Sequence, residues 1–533
     1  MRGEIFGRPH PNLDPHSRFV HARSMKAARS ASLGSQQRPL TGNRPKSNFL
    51  SGMHMSFLFA AIGTGDSFAE NPAGRPNIVL IIADDLGYND PECYRRLNPA
   101  DPRFNPKNLP TASTPNIDYL ASRGMLFTDF YAGASVCSPS RAALLTGRNA
   151  TRTGVHNWIP PECPMHLRES EITIGDMLQE AGYNTAHFGK WHLTSQGGGD
   201  QPLPTDQGYD YSFFSFNNAA PSYRNPNNYF RNGDALGTLQ GFACDLVVDE
   251  ALQWLDGKDN AQPFYINIWF NEPHRSGINF NPPYSAPREL VERHSENGVY
   301  YAAIENMDQS IGRLIEYLKE NGYFENTFII FSSDNGSQWD HSNDPLRGSK
   351  AFNFEGGIRV PFIAVWTSQI ELGAICDLPG SFVDVLPTIA ALAGLQPPRD
   401  RVIDGVDLTA VLTGRETEVE REVPIFFFRY FHDPILMLRE GDWCLLGYDK
   451  LIPLDDPMNR QALGKTRPWG FTKDHMDLAL EIEAKHFELY NLRDDIGQRH
   501  DLADSHPEIV GRLKSQMLRL QREMLEEGGN WYE

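Results

Sequence analysis

Cysteine is scarce in this chain of 533 residues, which contains only Cys93, Cys137, Cys163, Cys244, Cys376 and Cys444. Six cysteines are too sparse for a disulfide scaffold in a protein of this length. Because no two of them form a Cys-x-x-Cys pair, a structural zinc site is also disfavoured. The sequence does not determine which cysteines pair with one another, if any do.

Positive charge is also in short supply. The 49 Lys and Arg residues are outnumbered by 68 Asp and Glu residues, and the formal net charge is −19. This balance argues against nucleic acid as the main partner, because phosphate backbones require a basic face. An acidic protein that acts on an anion must build a local cationic pocket, so any cluster of Lys, Arg and His is informative.

The N-terminal region has no apolar run of the ~20 residues that a membrane span needs. Residues 1–47 are rich in Arg, Ser, Pro and His and are predicted to be disordered. The short apolar run 56–62 and the small residues that follow predict a signal peptide within residues 1–75, ending near Ala69. This predicts export, to the periplasm or as a secreted protein, without stable membrane insertion. A disordered tail with a chance apolar patch, and a true start at Met53 or Met55, remain open.

From residue 76 the sequence alternates strand-like and helix-like segments. Apolar, β-branched runs predict strands at 77–83, 183–188, 264–270, 327–332 and 360–366. Helices are predicted between them, at 114–121, 171–181, 299–320 and 383–393. Such alternation predicts an α/β fold with a large mixed, mostly parallel sheet sandwiched by helices, here assigned to an N-terminal domain of residues 76–420.

The last part of the chain has a different pattern of predicted elements. Short strands are predicted at 424–431, 435–439, 443–448 and 487–491, followed by a helix at 506–526. Residues 421–533 are therefore predicted to form a smaller C-terminal α+β subdomain, an antiparallel sheet with one packed helix. The segment 451–480 is polar and contains proline, and it is predicted to be a loop that can reach over the active site.

Acidic and amide side chains follow two of the predicted strands. Asp84 and Asp85 come directly after the first strand, Asp334 and Asn335 follow another, and His274 follows a third. In open α/β sheets ligands gather at the carboxyl ends of strands, so these three segments are expected to converge. Their oxygen ligands suit a hard cation such as Ca²⁺ or Mg²⁺ rather than zinc. Adjacent aspartates at a strand end are otherwise often caps or turn formers.

Two motifs resemble those of a known enzyme family. The run Cys137-Ser-Pro-Ser-Arg-Ala-Ala-Leu-Leu-Thr-Gly-Arg148 resembles the type I sulfatase signature, C-x-P-S-R followed by an apolar pair and T-G-R. The run Gly182-Tyr-Asn-Thr-Ala-His-Phe-Gly-Lys-Trp-His192 resembles the G-Y-x-T-x-x-x-G-K-W-H motif of the same family. The resemblance extends from about Asn77 to about Ala503. It implies a formylglycine-dependent sulfatase of the arylsulfatase and N-acetylgalactosamine-6-sulfatase type, with the fold of the alkaline phosphatase superfamily.

In that family the motif cysteine is oxidised to formylglycine (3-oxoalanine) by a maturation enzyme that acts on the unfolded chain. The resemblance therefore implies that Cys137 is modified and that a formylglycine-generating enzyme is a partner. The hydrated aldehyde carries two hydroxyls on one carbon: one attacks sulfur, and deprotonation of the other then releases sulfate. Five cysteines would remain, enough for at most two disulfides and one free thiol.

The resemblance also implies roles for the other motif positions. Lys190 and Lys350 would bind the sulfate group, and His192 would hydrogen-bond the formylglycine hydroxyl. His274 would contact the substrate and protonate its leaving oxygen, while Arg141 would brace the nucleophile. Calcium is implied by the resemblance and magnesium stays open; the implied ligands are Asp84, Asp85, Cys137 as formylglycine, Asp334 and Asn335.

The substrate that follows is a sulfate monoester, expected to be a sulfated carbohydrate, with small aryl sulfates as generic substrates. Two alternatives are a formylglycine-dependent phosphonate or phosphate ester hydrolase of the same superfamily, and a binding protein without catalysis. Three side chains compete for one further sulfate contact: Ser212, Ser215 and Asn217. Five loop residues are candidates for the substrate cleft: Trp158, Tyr223, Arg275, Trp339 and His341.

Overall fold

A computed structural model of the chain describes residues 74–97, 111–258, 262–275, 284–294, 298–450 and 471–533. The predicted signal peptide and most of the N-terminal extension lie outside the described residues, as do residues 451–470 of the predicted loop.

Sixteen β-strands occur in the described residues. Their bounds are β1 (Asn77–Ala83), β2 (Met125–Phe127), β3 (Phe130–Tyr131), β4 (Asn184–Lys190), β5 (Tyr211–Ser215), β6 (Tyr229–Arg231), β7 (Asp234–Ala235), β8 (Phe264–Trp269), β9 (Thr327–Ser333), β10 (Phe362–Val365), β11 (Ala374–Cys376), β12 (Gly380–Ser381), β13 (Ile425–Phe428), β14 (Leu436–Glu440), β15 (Trp443–Tyr448) and β16 (His486–Asn491).

Helices connect most of these strands. The α-helices of the described residues are α1 (Glu92–Arg95), α2 (Pro115–Arg123), α3 (Cys137–Thr146), α4 (Ile174–Glu180), α5 (Ala243–Gly257), α6 (Arg288–Val291), α7 (Gly298–Glu320), α8 (Glu355–Ile358), α9 (Val385–Leu392), α10 (Thr409–Leu412), α11 (Lys473–Glu481) and α12 (Pro507–Gly528).

The main sheet has ten strands in the spatial order β11-β2-β10-β9-β1-β8-β4-β5-β6-β7. Strands β9, β1, β8, β4 and β5 are parallel neighbours, whereas β10 pairs with antiparallel partners on both sides. The apolar run of β1 is fully buried at the centre of this parallel block, as expected of a strand covered on both faces. The predicted mixed, mostly parallel sheet is confirmed.

Helices cover both faces of this sheet, and the side chains of β1 alternate between them. Ile78, Leu80 and Ile82 pack into the core that contains residues of α3, α4 and α9. Val79 and Ile81 pack into a second core with residues of α2, α5 and α7. The alternation follows from the two-residue period of a strand, and it confirms the predicted sandwich of helices around the sheet.

The predicted C-terminal sheet is also present, as the antiparallel order β13-β14-β15-β16. Leu513, Met517 and Leu520 of α12 share a hydrophobic core with Leu438 and Leu445 of this sheet. The predicted packed helix is therefore confirmed, while the boundary near residue 420 stays a prediction.

Two helices depart from the sequence prediction. The end of the predicted loop 451–480 is wrong, because Lys473–Glu481 forms α11, which buries Met476 and Ala479. Helix α3 was not predicted: all ten of its residues are buried, so its sequence has no polar face to reveal the helical period.

The six cysteines are free thiols, with no disulfide among the described residues. No helix in the described ranges is both long and apolar enough to cross a membrane.

Candidate active site

The ends of β1 and β9 bring four predicted metal ligands together. Asp84 and Asp85 follow β1, and Asp334 and Asn335 follow β9, its parallel neighbour. The backbone N–H of Asp85 donates to Asp334 Oδ1 (3.2 Å), and Asn335 Nδ2 donates to Asp85 Oδ1 (2.7 Å). Asp85 adopts a left-handed backbone conformation with φ of 66°, which is uncommon for a non-glycine residue and is frequent at functional sites.

Strand β4 delivers Lys190 to the same edge. Gly189, with φ of 106°, allows the close pairing with β8, because a Cβ atom there would lie 1.8 Å from the carbonyl oxygen of Trp269. Lys190 Nζ then lies 2.5 Å from Asp84 Oδ2 and 2.9 Å from Asn218 Oδ1. Gly189 of the Gly-Lys-Trp-His motif is therefore needed for packing, because it allows β4, which carries Lys190, to pair closely with β8.

Helix α3 begins at Cys137 and points its N-terminal end at the strand edge. Cys137 Sγ lies 3.5 Å from Asp84 Oδ1 and 3.4 Å from Lys350 Nζ. Burial, together with the charge of Asp84, raises the pKa of the Cys137 thiol to about 12. The unmodified thiol is therefore protonated at neutral pH and is a weak nucleophile in this setting.

Arg141 lies one turn further along α3, on the same face as Cys137. Its Nε and Nη2 atoms donate to Asp334 Oδ2 at 3.0 and 2.7 Å, and Nη1 donates to the carbonyl oxygen of Lys190 at 2.7 Å. The guanidinium carbon also lies 5.1 Å from the centre of the Trp269 ring. With its side chain fully buried, Arg141 links α3 to both β4 and β9.

Lys350 and the two histidines complete the predicted set. Lys350 Nζ donates to Asp85 Oδ1 at 2.5 Å, and His274 Nε2 lies 3.5 Å from Asp85 Oδ2. His192 Nε2 is 3.1 Å from the carbonyl oxygen of Ile159, and its ring lines the same cavity as Cys137. All ten residues that the sequence singled out are therefore gathered at one edge of the sheet.

Opposite charges decide the protonation states in this cluster. Burial works to raise the pKa of Asp84, but Lys190 and three further basic side chains outweigh it, and the net pKa lies well below the usual range. Burial and the charge of Asp84 raise the pKa of Asp334 to about 6. Burial and Lys350 lower the pKa of His274 to about 4. At neutral pH Asp84 and Asp334 are therefore charged and His274 is neutral.

The donor set fits a hard divalent cation. Asp85 Oδ2 and Asn335 Oδ1 are buried oxygens that form no hydrogen bond with any described residue. Ligand atoms of Asp84, Asp85, Cys137 and His274 lie within 4.8 Å of one another. Buried oxygens without hydrogen bonds are costly unless a ligand satisfies them, and carboxylate and amide oxygens are the ligands that Ca²⁺ and Mg²⁺ prefer.

A cavity of about 490 Å³ opens above this cluster. Of the five predicted cleft residues, Trp158 lines this cavity. Tyr223 is buried, and its hydroxyl donates to the carbonyl oxygen of Asn271 (3.0 Å). Of the three competitors for a sulfate contact, only Asn217 is among its described lining residues, and the neighbouring Asn218, which sequence reasoning missed, contacts Lys190. The other lining residues that sequence reasoning missed are Val136, Gln338, Ser349, Ala351, Phe352 and His432.

Comparison with known proteins agrees with this site. The family model described as Sulfatase matches residues 76–395. N-acetylgalactosamine-6-sulfatase of Canis lupus familiaris is 33% identical over 408 residues, 71% of this chain and 72% of the relative. Arylsulfatase A of Homo sapiens is 32% identical over 391 residues, 68% of this chain and 72% of the relative.

A solved structure extends the likeness to the fold. The crystal structure of Ps i-CgsB in complex with k-i-k-neocarrahexaose has a TM-score of 0.67 and 25% identity, and the match covers 86% of this chain and 94% of that one. The matched family model, these relatives and the gathered motif residues lead to one conclusion: the chain belongs to the sulfatase family, the sulfuric ester hydrolases of the alkaline phosphatase superfamily.

Proposed function

We propose that this sulfatase hydrolyses sulfate monoesters of carbohydrates, with formylglycine at position 137 and a bound Ca²⁺ ion. The observation that carries the proposal is the position of Cys137. Its Sγ atom lies at the floor of the cavity, 3.5 Å from Asp84 Oδ1 and 3.4 Å from Lys350 Nζ. This atom stands where an oxygen of the modified residue would be.

The modification would replace a weak nucleophile with a better one. A thiol with a pKa near 12 is poorly ionised at neutral pH, so cysteine itself would be a weak nucleophile. Hydrated formylglycine supplies two hydroxyl groups on one carbon, so that one can attack sulfur and the other can later release sulfate. The partner that this requires is a formylglycine-generating enzyme acting on the motif Cys137–Arg148.

Asp84, Asp85, Asp334 and Asn335 would hold the cation, together with an oxygen of residue 137. The two buried oxygens that lack hydrogen bonds, Asp85 Oδ2 and Asn335 Oδ1, support this assignment. The ion would supply Lewis-acid polarisation of the sulfate group and would lower the pKa of the attacking hydroxyl. Calcium rather than magnesium rests on the family resemblance.

The cationic side chains would bind the sulfate group. Lys190 and Lys350 approach Asp84 and Asp85 from opposite elements, β4 and the loop after β9, and they flank residue 137. Each would exchange part of its contact with a carboxylate for a sulfate oxygen. Fixed positive charges aimed at the oxygens where negative charge accumulates are the largest expected contribution to catalysis.

Two histidines and one arginine would orient and protonate the reacting groups. His192 has an Nδ1 atom that forms no hydrogen bond with a described residue, and it is available to the hydroxyl of residue 137. His274, at the cavity wall beside Asp85, is neutral in the free enzyme and would take up a proton when the anionic sulfate group binds, which it would then give to the leaving oxygen. Arg141, held by Asp334, would brace the nucleophile from behind.

The substrate class is supported by the cavity wall and by the relatives. A volume of about 490 Å³ is in the range of small-molecule sites, and amide and aromatic side chains such as Asn217, Gln338 and Phe352 line it. Amides suit sugar hydroxyls, and aromatic faces suit the apolar face of a sugar ring. One relative is an N-acetylgalactosamine-6-sulfatase, and one similar structure holds an oligosaccharide, k-i-k-neocarrahexaose. Export through the signal peptide predicted to end near Ala69 would bring the enzyme to extracellular polysaccharides.

The test is expression of the full chain with a formylglycine-generating enzyme, followed by an assay with 4-nitrophenyl sulfate and a panel of sulfated sugars. We expect the peptide that contains residue 137 to be about 18 Da lighter than its cysteine form. Cys137→Ala should abolish turnover, whereas Cys376→Ala, a buried thiol in β11, should retain it. Turnover of phosphate or phosphonate esters but not sulfate esters by the converted enzyme would instead establish the alternative hydrolase.

A further inference from the structure

Arg429 follows strand β13 and is a buried cation outside the machinery described above. The residue is 3% exposed, and its Nε, Nη1 and Nη2 atoms form no hydrogen bond with any described residue. The guanidinium carbon lies 5.4 Å from the centre of the Phe431 ring, an aromatic contact. Guanidinium groups are rarely buried without partners, because burial removes the hydration of a full charge.

The described residues around Arg429 include no compensating acid. The cavity that it lines is bounded by backbone and neutral side chains, and no described Asp or Glu is among the lining residues. Burial lowers the pKa of Arg429 to about 10, with only Tyr430 and Cys137 acting in the opposite direction. At neutral pH the group therefore still carries its positive charge. His156, in the same cavity, adds no charge, since burial lowers its pKa to about 4.

The size of the free space restricts what can neutralise this charge. The space has a volume of about 10 Å³, enough for one water-sized sphere. A monatomic anion matches a space of this size.

The polarity of the walls also favours an anion. Val136, next to the N-terminal end of α3, and Pro139, in its first turn, line the cavity, so the positive end of the helix dipole lies beside it. Thr151 adds a hydroxyl group, whereas the hydroxyl of Ser135 already donates to Asn353 Oδ1 (3.0 Å). We propose that this cavity, formed by Arg429, the N-terminal turn of α3 and the loop 149–156, is a resident halide site that binds chloride in solution.

The site is distinct from the substrate cavity, although Val136 lines both. Lys190 and Lys350, which would bind sulfate, each contact a carboxylate. Arg429 contacts none within the described residues, and the bound halide would provide the missing negative charge. The proposal is therefore independent of the substrate and of the modification at residue 137.

The first test is crystallographic and uses the full wild-type chain. Crystals grown with sodium bromide in place of chloride should give an anomalous difference peak within hydrogen-bonding distance of the Arg429 guanidinium. A well-ordered cavity without that peak, occupied by a water molecule or a protein carboxylate, would overturn the proposal. This measurement does not depend on any variant folding.

The second test separates a resident ion from one bound only at crystal concentrations. Chloride should be exchanged for gluconate at constant ionic strength, with calcium supplied as its gluconate salt. We expect chloride to raise the apparent melting temperature of the wild type by about 2 °C and to have no such effect on Arg429→Met. Arg519→Met, which removes an exposed arginine paired with Glu523, is the matched control and should respond as the wild type does. An equal response of all three proteins, or no response of the wild type, would overturn the proposal.

Discussion

Two buried arginines near Cys137 have opposite surroundings. Arg141, four residues along α3, is fully buried and forms three hydrogen bonds, two with Asp334 and one with the carbonyl oxygen of Lys190. Arg429, just after β13, is almost equally buried and forms no hydrogen bond with a described residue. The same side chain is therefore compensated in one region and uncompensated in the other.

The difference shows what burial of charge requires. In the strand-end cluster, which we define as Asp84, Asp85, Arg141, Lys190 and Asp334, each charge faces an opposite charge, which for Asp85 is that of the neighbouring Lys350. In such a network the attraction between the charges offsets much of the free energy needed to bury them. Removal of one member destabilises the fold, because it leaves its partner buried without an opposite charge. In the post-β13 segment, residues 429–432, the cation has no such counterpart among the residues that the structure describes, so its removal should have a different effect. The following predictions test this contrast.

The largest loss of stability is expected from the substitution Arg141→Met. The substitution leaves the carboxylates of Asp334 and Asp84 buried near each other without their guanidinium partner. Removal of one partner of a buried pair typically destabilises a protein by about 3–5 kcal/mol. We expect a corresponding fall in the urea midpoint, measured on protein made without the maturation enzyme so that altered modification of residue 137 does not contribute.

Arg429→Met is the matched comparison, because it makes the same chemical change at an equally buried position. In halide-free buffer we expect it to be neutral or stabilising, since it removes an uncompensated charge and leaves apolar contacts in place. Equal destabilisation by the two substitutions would show that both arginines are compensated, and the contrast between the two regions would be wrong.

Chelation of the divalent cation should have the next largest effect. The strand-end cluster contains three buried carboxylates, whereas no described carboxylate lines the Arg429 cavity. Exhaustive EDTA treatment should abolish sulfatase activity and lower stability by about 2–3 kcal/mol if the ion is present at roughly 100 times its Kd. The activity after addition of Ca²⁺ or Mg²⁺ should be compared, and we expect Ca²⁺ to restore it at the lower concentration.

Arg429→Met serves as the control for chelation as well. Its loss of stability on EDTA treatment should equal that of the wild type, because Arg429 is not part of the cation site. A chelated enzyme that keeps its full activity would contradict the assignment of Asp84, Asp85, Asp334 and Asn335 as ligands.

The parts of the fold that could be predicted from sequence are those with a strong local pattern. Strand β1 is a continuous apolar run because its neighbours and the helices bury it on all sides, and its predicted bounds are confirmed. Helix α7 has a clear apolar face and was predicted at 299–320, close to its bounds of Gly298–Glu320. Helix α3 was missed because complete burial leaves no polar face.

The strand-end cluster was predictable for a different reason. Its residues lie in two long motifs or directly after predicted strands, so a resemblance and the geometry of parallel sheets both pointed to them. Arg429 had no comparable signal, since an arginine within a run of aromatic residues is more often at a surface. Phe352 and His432 were missed because they meet only in the folded protein, from the loop before α8 and from the post-β13 segment.

The aromatic contact between Phe352 and His432 leads to the smallest predicted effect. The two rings are stacked, with centres 4.8 Å apart and planes inclined by 21°, and both line the substrate cavity. They form the wall to which the post-β13 segment contributes, whereas Cys137 and Lys350 line the part that would bind the sulfate group. A wall of this kind would contact the sugar rather than the sulfate group.

Phe352→Leu keeps an apolar side chain of similar size but removes the aromatic face. We expect KM for a sulfated oligosaccharide to rise about tenfold, the equivalent of one aromatic contact, with little change in kcat. The kcat/KM for 4-nitrophenyl sulfate should stay within about twofold, because this substrate needs only the sulfate-binding part of the site. Phe230→Leu, in strand β6 between β5 and β7 and outside the described lining of the cavity, is the control and should leave both substrates unaffected. Equal losses on both substrates would assign Phe352 to the support of the strand-end cluster instead, and the division between a sulfate-binding part and a sugar-binding wall would have to be abandoned.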